Sequence, residues 1–142
     1  MKNEASAVWE GGLKDGKGTM SAGGGAFKGL NYSFARRFED AAAHGTNPEE
    51  LIAAAHAGCF GMATAAALEK AGFKPTRLDV KATVSLEQVE GKPTITASHL
   101  ELNAAVPDIT EPKFREIVDG AKNGCVISRL LKADVSLDAR MT

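Results

Sequence analysis

Thr46–Gly72, TNPEELIAAAHAGCFGMATAAALEKAG, is the stretch on which the reading of this chain turns. It carries the start and stop signals of one long helix. Asn47 can accept hydrogen bonds from the free N–H groups of a helix start, and Pro48 follows where its missing N–H is not needed. Glu50 stands at capping-box spacing from Asn47, and Glu49 and Glu50 both fall in the first turn, where the helix dipole favours negative charge. Gly72 suits the left-handed position that ends a helix. From Leu51 to Leu68 there is no Asp, Glu, Lys or Arg. A helix apolar all round is normally buried. The run approaches the length of a membrane span, but it is mostly Ala and Gly with His56 and Thr64 inside it, which argues for the core helix of a globular protein. Ala54, Ala57, Gly58 and Gly61 would let another helix come close. A chain this short offers little surface to bury such a helix, which points to a homodimer. Cys59 sits at its centre.

The remaining composition sets bounds. A length of 142 residues suits one domain with a single core. The 44% hydrophobic and 25% charged content is ordinary for a globular chain. With a net charge of −1 and no Lys/Arg cluster, neither nucleic acid nor an anionic membrane is expected as the main partner. The N-terminal MKNEASAVWEGG has no apolar core of signal-peptide length, so a cytoplasmic location is expected. In that compartment two cysteines are more readily free, catalytic or redox-active than a structural staple.

Before the helix the chain reads as short strands. Ala5–Trp9 and Gly18–Ser21 form a hairpin with Asp15-Gly16 as its turn. The Gly-rich Ser21–Lys28 reads as a loop, because the phosphate-binding Gly-x-x-x-x-Gly-Lys-Ser/Thr pattern is absent. Asn31–Glu39 reads as a strand with Tyr32, Phe34, Arg36 and Phe38 on one face and Arg37 on the other. Asp40–Gly45 is a loop.

After the helix, Leu78–Gln88 alternates as a half-buried strand, Glu90–Pro93 is a turn, and Thr94–Val106 is a second strand with a register slip near Ser98-His99. The two pair as an antiparallel hairpin, ended by Pro107. Thr110-Glu111-Pro112 opens a helix to about Lys122 with Phe114, Ile117, Val118 and Ala121 on one face. Asn123-Gly124 closes it, Cys125–Lys132 forms a short helical turn, and Ala133–Ala139 is a final strand. The order predicts an α+β chain: antiparallel sheets around a long central helix.

The chemistry turns on the cysteines. Cys59 in such a helix can be a small buried hydrophobe. A reactive Cys59 needs a thiolate and therefore a positive neighbour. The helix supplies only His56, one turn earlier on the same face, so an arginine from elsewhere is needed. Cys125 follows a glycine at the start of a helical turn, a setting that can favour a thiolate. The spacing of the two matches neither Cys-x-x-Cys nor a zinc ribbon. His56 and Cys59 could share a metal with His44 or His99, but no spacing completes a ligand set.

Gly45-Thr46-Asn47-Pro48-Glu49-Glu50-Leu51-Ile52, followed by Ala54-Ala55-His56-Ala57-Gly58-Cys59-Phe60, resembles the signature of the OsmC/Ohr family of thiol-dependent peroxidases, and His56 places it nearer the OsmC branch. The resemblance extends to Trp9-Glu10-Gly11, Arg37-Phe38-Glu39, Asp79-Val80, Ser85-Leu86, Val106-Pro107 and Ala121-Lys122-x-Gly124-Cys125. One departure is Val126, where the family commonly has proline.

The resemblance implies a single OsmC-like domain over 1–142 and an intertwined homodimer with two sites at the subunit interface. It implies Cys59 as the peroxidatic cysteine, Cys125 as the resolving cysteine, Arg37 as the arginine that holds the thiolate and orients the peroxide, and Glu49 as the carboxylate that positions Arg37. Arg36 and Glu50 are the competitors; the Phe-Glu after Arg37 and the strand parity favour Arg37, and Glu50 is assigned to the capping box. It further implies alkyl and fatty-acid hydroperoxides as substrates, hydrogen peroxide less well, and a lipoyl-type dithiol as reductant. No cofactor or metal is expected. Phe60, Met62 and Phe38 are candidates for an apolar wall beside the site. Two other readings remain: a non-catalytic dimeric binding module with Cys59 merely buried, and a metal-binding protein using His56 and Cys59.

Overall fold

The computed structural model describes all 142 residues. The chain falls into two compact units, Met1–Leu51 and Ile52–Thr142.

The first unit holds β1 (Ala5–Glu10), β2 (Lys17–Ala22), β3 (Leu30–Tyr32), α1 (Phe34–Phe38) and the first turn of α2 (Pro48–Lys70). Its sheet is antiparallel in the order β1-β2-β3, with Ala5 opposite Ala22 and Glu10 opposite Lys17. Trp9 and Tyr32 pack ring against ring at 5.4 Å. The strand expected over Asn31–Glu39 stops at Tyr32. The Ser33 hydroxyl accepts from the Arg36 N–H at 3.1 Å and caps α1 instead. The spacing that suggested a strand face also serves a helix, because Phe34 and Phe38 are four apart and stack at 5.1 Å. Gly45 then turns the chain into α2 with φ of 103°, where any side chain would collide with the Asn31 carbonyl.

The second unit holds the body of α2, β4 (Arg77–Val89), β5 (Lys92–Ala105), α3 (Glu111–Gly124), α4 (Val126–Leu130) and β6 (Asp134–Met141). The sheet order is β4-β5-β6. Glu90 and Gly91, with φ of 51° and 75°, make a two-residue hairpin turn, so Lys92 and Pro93 belong to β5 rather than to the turn. The register slip lies at Ser85/Leu86, opposite Thr96, and not at Ser98-His99. A larger correction concerns β6, which pairs with β5 in parallel, making this sheet mixed rather than antiparallel. The connection through α3 and α4 is long enough to bring the chain back to the same end of the sheet, which a parallel pairing requires.

Helix α2 begins as its caps dictate: Asn47 Oδ1 accepts from the Glu50 N–H at 2.8 Å. At its far end the Phe73 and Gly72 N–H groups reach back to the Leu68 and Glu69 carbonyls, and Gly72 takes φ of 89°. The expectation of burial all round is corrected. His56, Phe60, Thr64 and Leu68, spaced by four, are buried; Ala54, Ala55, Gly58, Met62 and Ala66 face out. One chain has too few elements to cover both sides of the rod. By length and composition α2 could also cross a membrane, yet its buried stripe contributes Phe60 to a core with Leu100, Leu102, Phe114 and Val118. Thr110 caps α3, whose Phe114, Ile117, Val118 and Ala121 are buried as their spacing predicts.

Candidate active site

In the second unit the two thiols meet. Cys59 lies midway along α2 and is partly buried; Cys125 is buried at the junction where α3 ends and α4 begins. The Cys125 N–H closes α3 on the Ala121 carbonyl at 2.9 Å, which fixes the backbone from which its side chain projects. The sulfurs are 3.1 Å apart and unbonded.

Both thiols lie beside the start of α4, which follows Cys125 directly. Burial pushes the Cys59 thiol above its ordinary value and its contact with Cys125 adds to this, while the N–H groups of Ile127 and Val126 oppose. Burial also acts to raise Cys125, but it is outweighed by the Ser128 N–H, the hydrogen bond with Cys59, the Ser128 hydroxyl and the Ile127 N–H, leaving this thiol below its ordinary value. No cation within this unit offsets the burial of Cys59.

His56 is fully buried and engaged at both nitrogens, Nδ1 with Ser98 Oγ at 2.7 Å and Nε2 with Ser128 Oγ at 2.8 Å. This leaves no free nitrogen for the metal reading. His99 is turned to Ser136 and Asp138, and no three His, Cys, Asp or Glu side chains are grouped as ligands. Sequence reasoning overlooked Ser98 and Ser128, since serines scattered over a strand and a short helix carry no signal until the fold gathers them.

In the first unit Arg37 and Glu49 meet. Arg37 Nη2 donates to Glu49 Oε1 at 2.7 Å, and Nε to Oε1 and Oε2 at 3.0 and 3.2 Å. The carboxylate is nearly buried and the guanidinium over a third exposed; Arg37 also stacks over the Phe38 ring at 4.9 Å. Arg36 takes Glu50 instead, Nη2 to Oε1 at 3.1 Å, with its Nε on the Gly45 carbonyl. Glu50 Oε2 accepts from the Thr46 hydroxyl at 2.6 Å. The Glu50 carboxylate thus serves Arg36 and Thr46, so the capping box assigned to it is only half made, by its N–H on Asn47. Because α1 is helical, strand parity no longer distinguishes the arginines; their carboxylate partners do.

Arg37 borders a cavity of 260 Å³ lined by apolar Trp9, Leu13, Tyr32, Phe34 and Phe38. Of the expected apolar wall, Phe38 lines this cavity, Phe60 is core, and Met62 is 78% exposed on α2.

A long central helix whose cysteine meets a second cysteine at a helical junction defines the class: an α+β protein with a closely set thiol pair. A family model described as "OsmC-like protein" matches residues 40–140. The chain is 46% identical over 138 residues to Peroxiredoxin OsmC of Escherichia coli (strain K12), covering 97% of this chain and 95% of that one. It is 31% identical over 104 residues to the Organic hydroperoxide resistance protein of Xanthomonas axonopodis pv. citri (strain 306), covering 72% and 70%. Among solved structures, an OsmC-like protein of unknown function from Vibrio cholerae shares the fold with a TM-score of 0.79 at 15% identity, covering 99% of each chain. The organic hydroperoxide resistance protein OhrB of Bacillus subtilis matches with a TM-score of 0.73 at 25% identity, covering 98% of each. The chain belongs to the OsmC-like family.

Proposed function

We propose that this protein is a cysteine-based peroxidase that reduces organic hydroperoxides, with Cys59 as the attacking thiol and Cys125 as the resolving one. The observation that carries the reading is the 3.1 Å separation of the two sulfurs, close enough to bond after a small shift. The Cys59 thiolate attacks the terminal peroxide oxygen; an alcohol leaves and a sulfenic acid remains. Cys125 then displaces the hydroxyl and forms the disulfide, which an external dithiol, proposed to be of the lipoyl type, reduces again.

Burial alone leaves Cys59 protonated, so the thiolate needs a permanent charge. Arg37 is that charge in this proposal, held by Glu49 and bordered by apolar side chains suited to alkyl and fatty-acid hydroperoxides. Hydrogen peroxide lacks the apolar part and is a poorer substrate. The exposed Ala54–Gly58–Met62–Ala66 face of α2 supports an intertwined homodimer in which both units of each chain work as one functional domain, in the cytoplasm. No cofactor is required, because sulfur carries the electrons.

One equivalent of an organic hydroperoxide is expected to convert the wild-type thiols into a Cys59–Cys125 disulfide, read by free-thiol titration and intact mass, while Cys59→Ser shows none. Two free thiols remaining in the wild type would mean that this is not the activity.

A further inference from the structure

We propose that Lys14 is a specificity-determining residue: its ammonium, at the mouth of the apolar cavity, receives an anionic head group, so that the protein prefers hydroperoxides carrying a carboxylate over neutral ones with the same chain. The inference rests on the peroxidase reading for the reaction, while the binding it describes is measurable without turnover.

Every residue involved belongs to the first unit. Lys14 stands in the loop between β1 and β2, beside Leu13, which lines the cavity and is 67% exposed at its mouth. The loop is anchored at its base. Trp9 Nε1–H and the Gly16 N–H both donate to the Gly12 carbonyl, at 3.2 and 2.9 Å. Trp9 is itself part of the cavity wall. Gly16 packs so closely against Gly12 and Trp9 that any Cβ there would collide with both. The place of Lys14 is thus tied to the cavity.

Two cations stand over two rings of that wall. Lys14 Nζ is 5.9 Å from the centre of the Phe34 ring, the Arg37 guanidinium is 4.9 Å from that of Phe38, and the two rings pack on one another at 5.1 Å. The cations differ in what answers their charge. Arg37 is held by Glu49. Lys14 takes part in no ion pair, and the carboxylate of Asp15, its neighbour, turns back toward Gly12. A ring face attracts a cation but carries no net charge to cancel it. An unmatched cation beside an apolar wall suits a ligand that is apolar along its length and anionic at one end. With the peroxide group at Arg37, the chain lies along Phe38 and Phe34 and the carboxylate reaches Lys14. At 260 Å³ the cavity is smaller than the roughly 300–1,000 Å³ of sites that enclose a drug-sized ligand. The charged end therefore stays at the rim, where Lys14 is. A lysine that only covered Phe34 with its stem would not select by charge.

The chain has one tryptophan, and it lines the cavity, so binding is readable from its fluorescence without peroxide. Below their micelle concentrations, linoleate is expected to bind about three- to fivefold more tightly than methyl linoleate, the upper range for a solvent-exposed ion pair. Lys14→Gln should bring the two together, Lys14→Arg should keep the preference, and Lys14→Glu should reverse it. Added salt should erase the preference of the wild type. In turnover, the ratio of kcat/KM between linoleic acid hydroperoxide and its methyl ester should follow the same order. The change should appear in KM rather than kcat, because the head group is bound alike before and during the reaction. A wild type that binds acid and ester equally, a preference that survives Lys14→Gln, or a loss in that variant shared equally by both ligands would overturn the proposal. Should neither hydroperoxide be consumed while linoleate still binds with a preference that depends on Lys14, the peroxidase reading fails and the head-group site stands.

Discussion

Arg37 and Glu49 are joined by three hydrogen bonds, the shortest 2.7 Å, while adjacent Arg36 takes the next carboxylate, Glu50. Two neighbouring arginines are thus assigned to two neighbouring glutamates, and of the four side chains Arg37 borders the apolar cavity. Arg37→Ala is expected to slow peroxide consumption on the order of a hundredfold, comparable to removal of a key donor at a reacting centre. Arg36→Ala should change it less than about threefold, as expected for a partly exposed pair. Stopped-flow rates with an organic hydroperoxide decide this; equal losses would refute the assignment of Arg37.

Removing the resolving sulfur should leave the first turnover intact. Cys125→Ser is expected to consume one equivalent of peroxide and stop as a Cys59 sulfenic acid, visible by mass after trapping with a carbon nucleophile. Cys59→Ser should form none. A sulfenic acid on Cys125 in the Cys59→Ser protein, formed at the wild-type rate, would reverse the roles.

Buried His56 makes stability depend on pH. Its folded pKa lies below the ordinary 6.5 because burial disfavours the charged ring. Between those two values the unfolded chain binds more protons than the native one, so stability rises with pH. It is fully present above about 6.5 and falls as the pH drops toward the folded value, by at most about 1.4 kcal/mol per pH unit for one proton. Chemical denaturation from pH 7 down to 5 should show this slope, and His56→Gln should flatten it. An unchanged slope in the variant would mean that other groups dominate.

Gly58 offers a clean test of the proposed dimer. It lies on the exposed face of α2, and an added Cβ would meet nothing within 4 Å. Gly58→Arg should therefore leave the fold of one chain unharmed, and helix propensity should improve by up to about 1 kcal/mol. Sedimentation should show a wild-type dimer and a variant shifted to monomer. A variant that stays dimeric would move the interface elsewhere.

Phe60, expected beside the substrate, is instead fully buried core. Phe60→Ala should destabilise the protein by about 3–5 kcal/mol, measured by denaturant unfolding. A loss below about 1 kcal/mol would mean that the ring does not pack as described.

Much of this was legible along the chain, because caps, periodicity and turn residues are local. Asn47-Pro48 and Gly72 bracket α2, the alternation after Leu78 marks β4, and Thr110-Glu111-Pro112 opens α3. Local pattern misled where one spacing served two structures. Phe34 and Phe38 fit a strand face and a helix face equally, and the Ser33 cap decided for the helix.

Sequence by itself determined α2, α3 and α4, most strands, the two thiols and the family resemblance, since these rest on neighbours within a few residues. Only the tertiary structure decided that β6 runs parallel to β5, that α2 buries one face and exposes the other, and that Ser98 and Ser128 close on His56. It also paired Arg37 with Glu49 and set Cys125 against Cys59. Those relations join residues distant along the chain, and their energies exist only once backbone closure brings the partners within bonding distance.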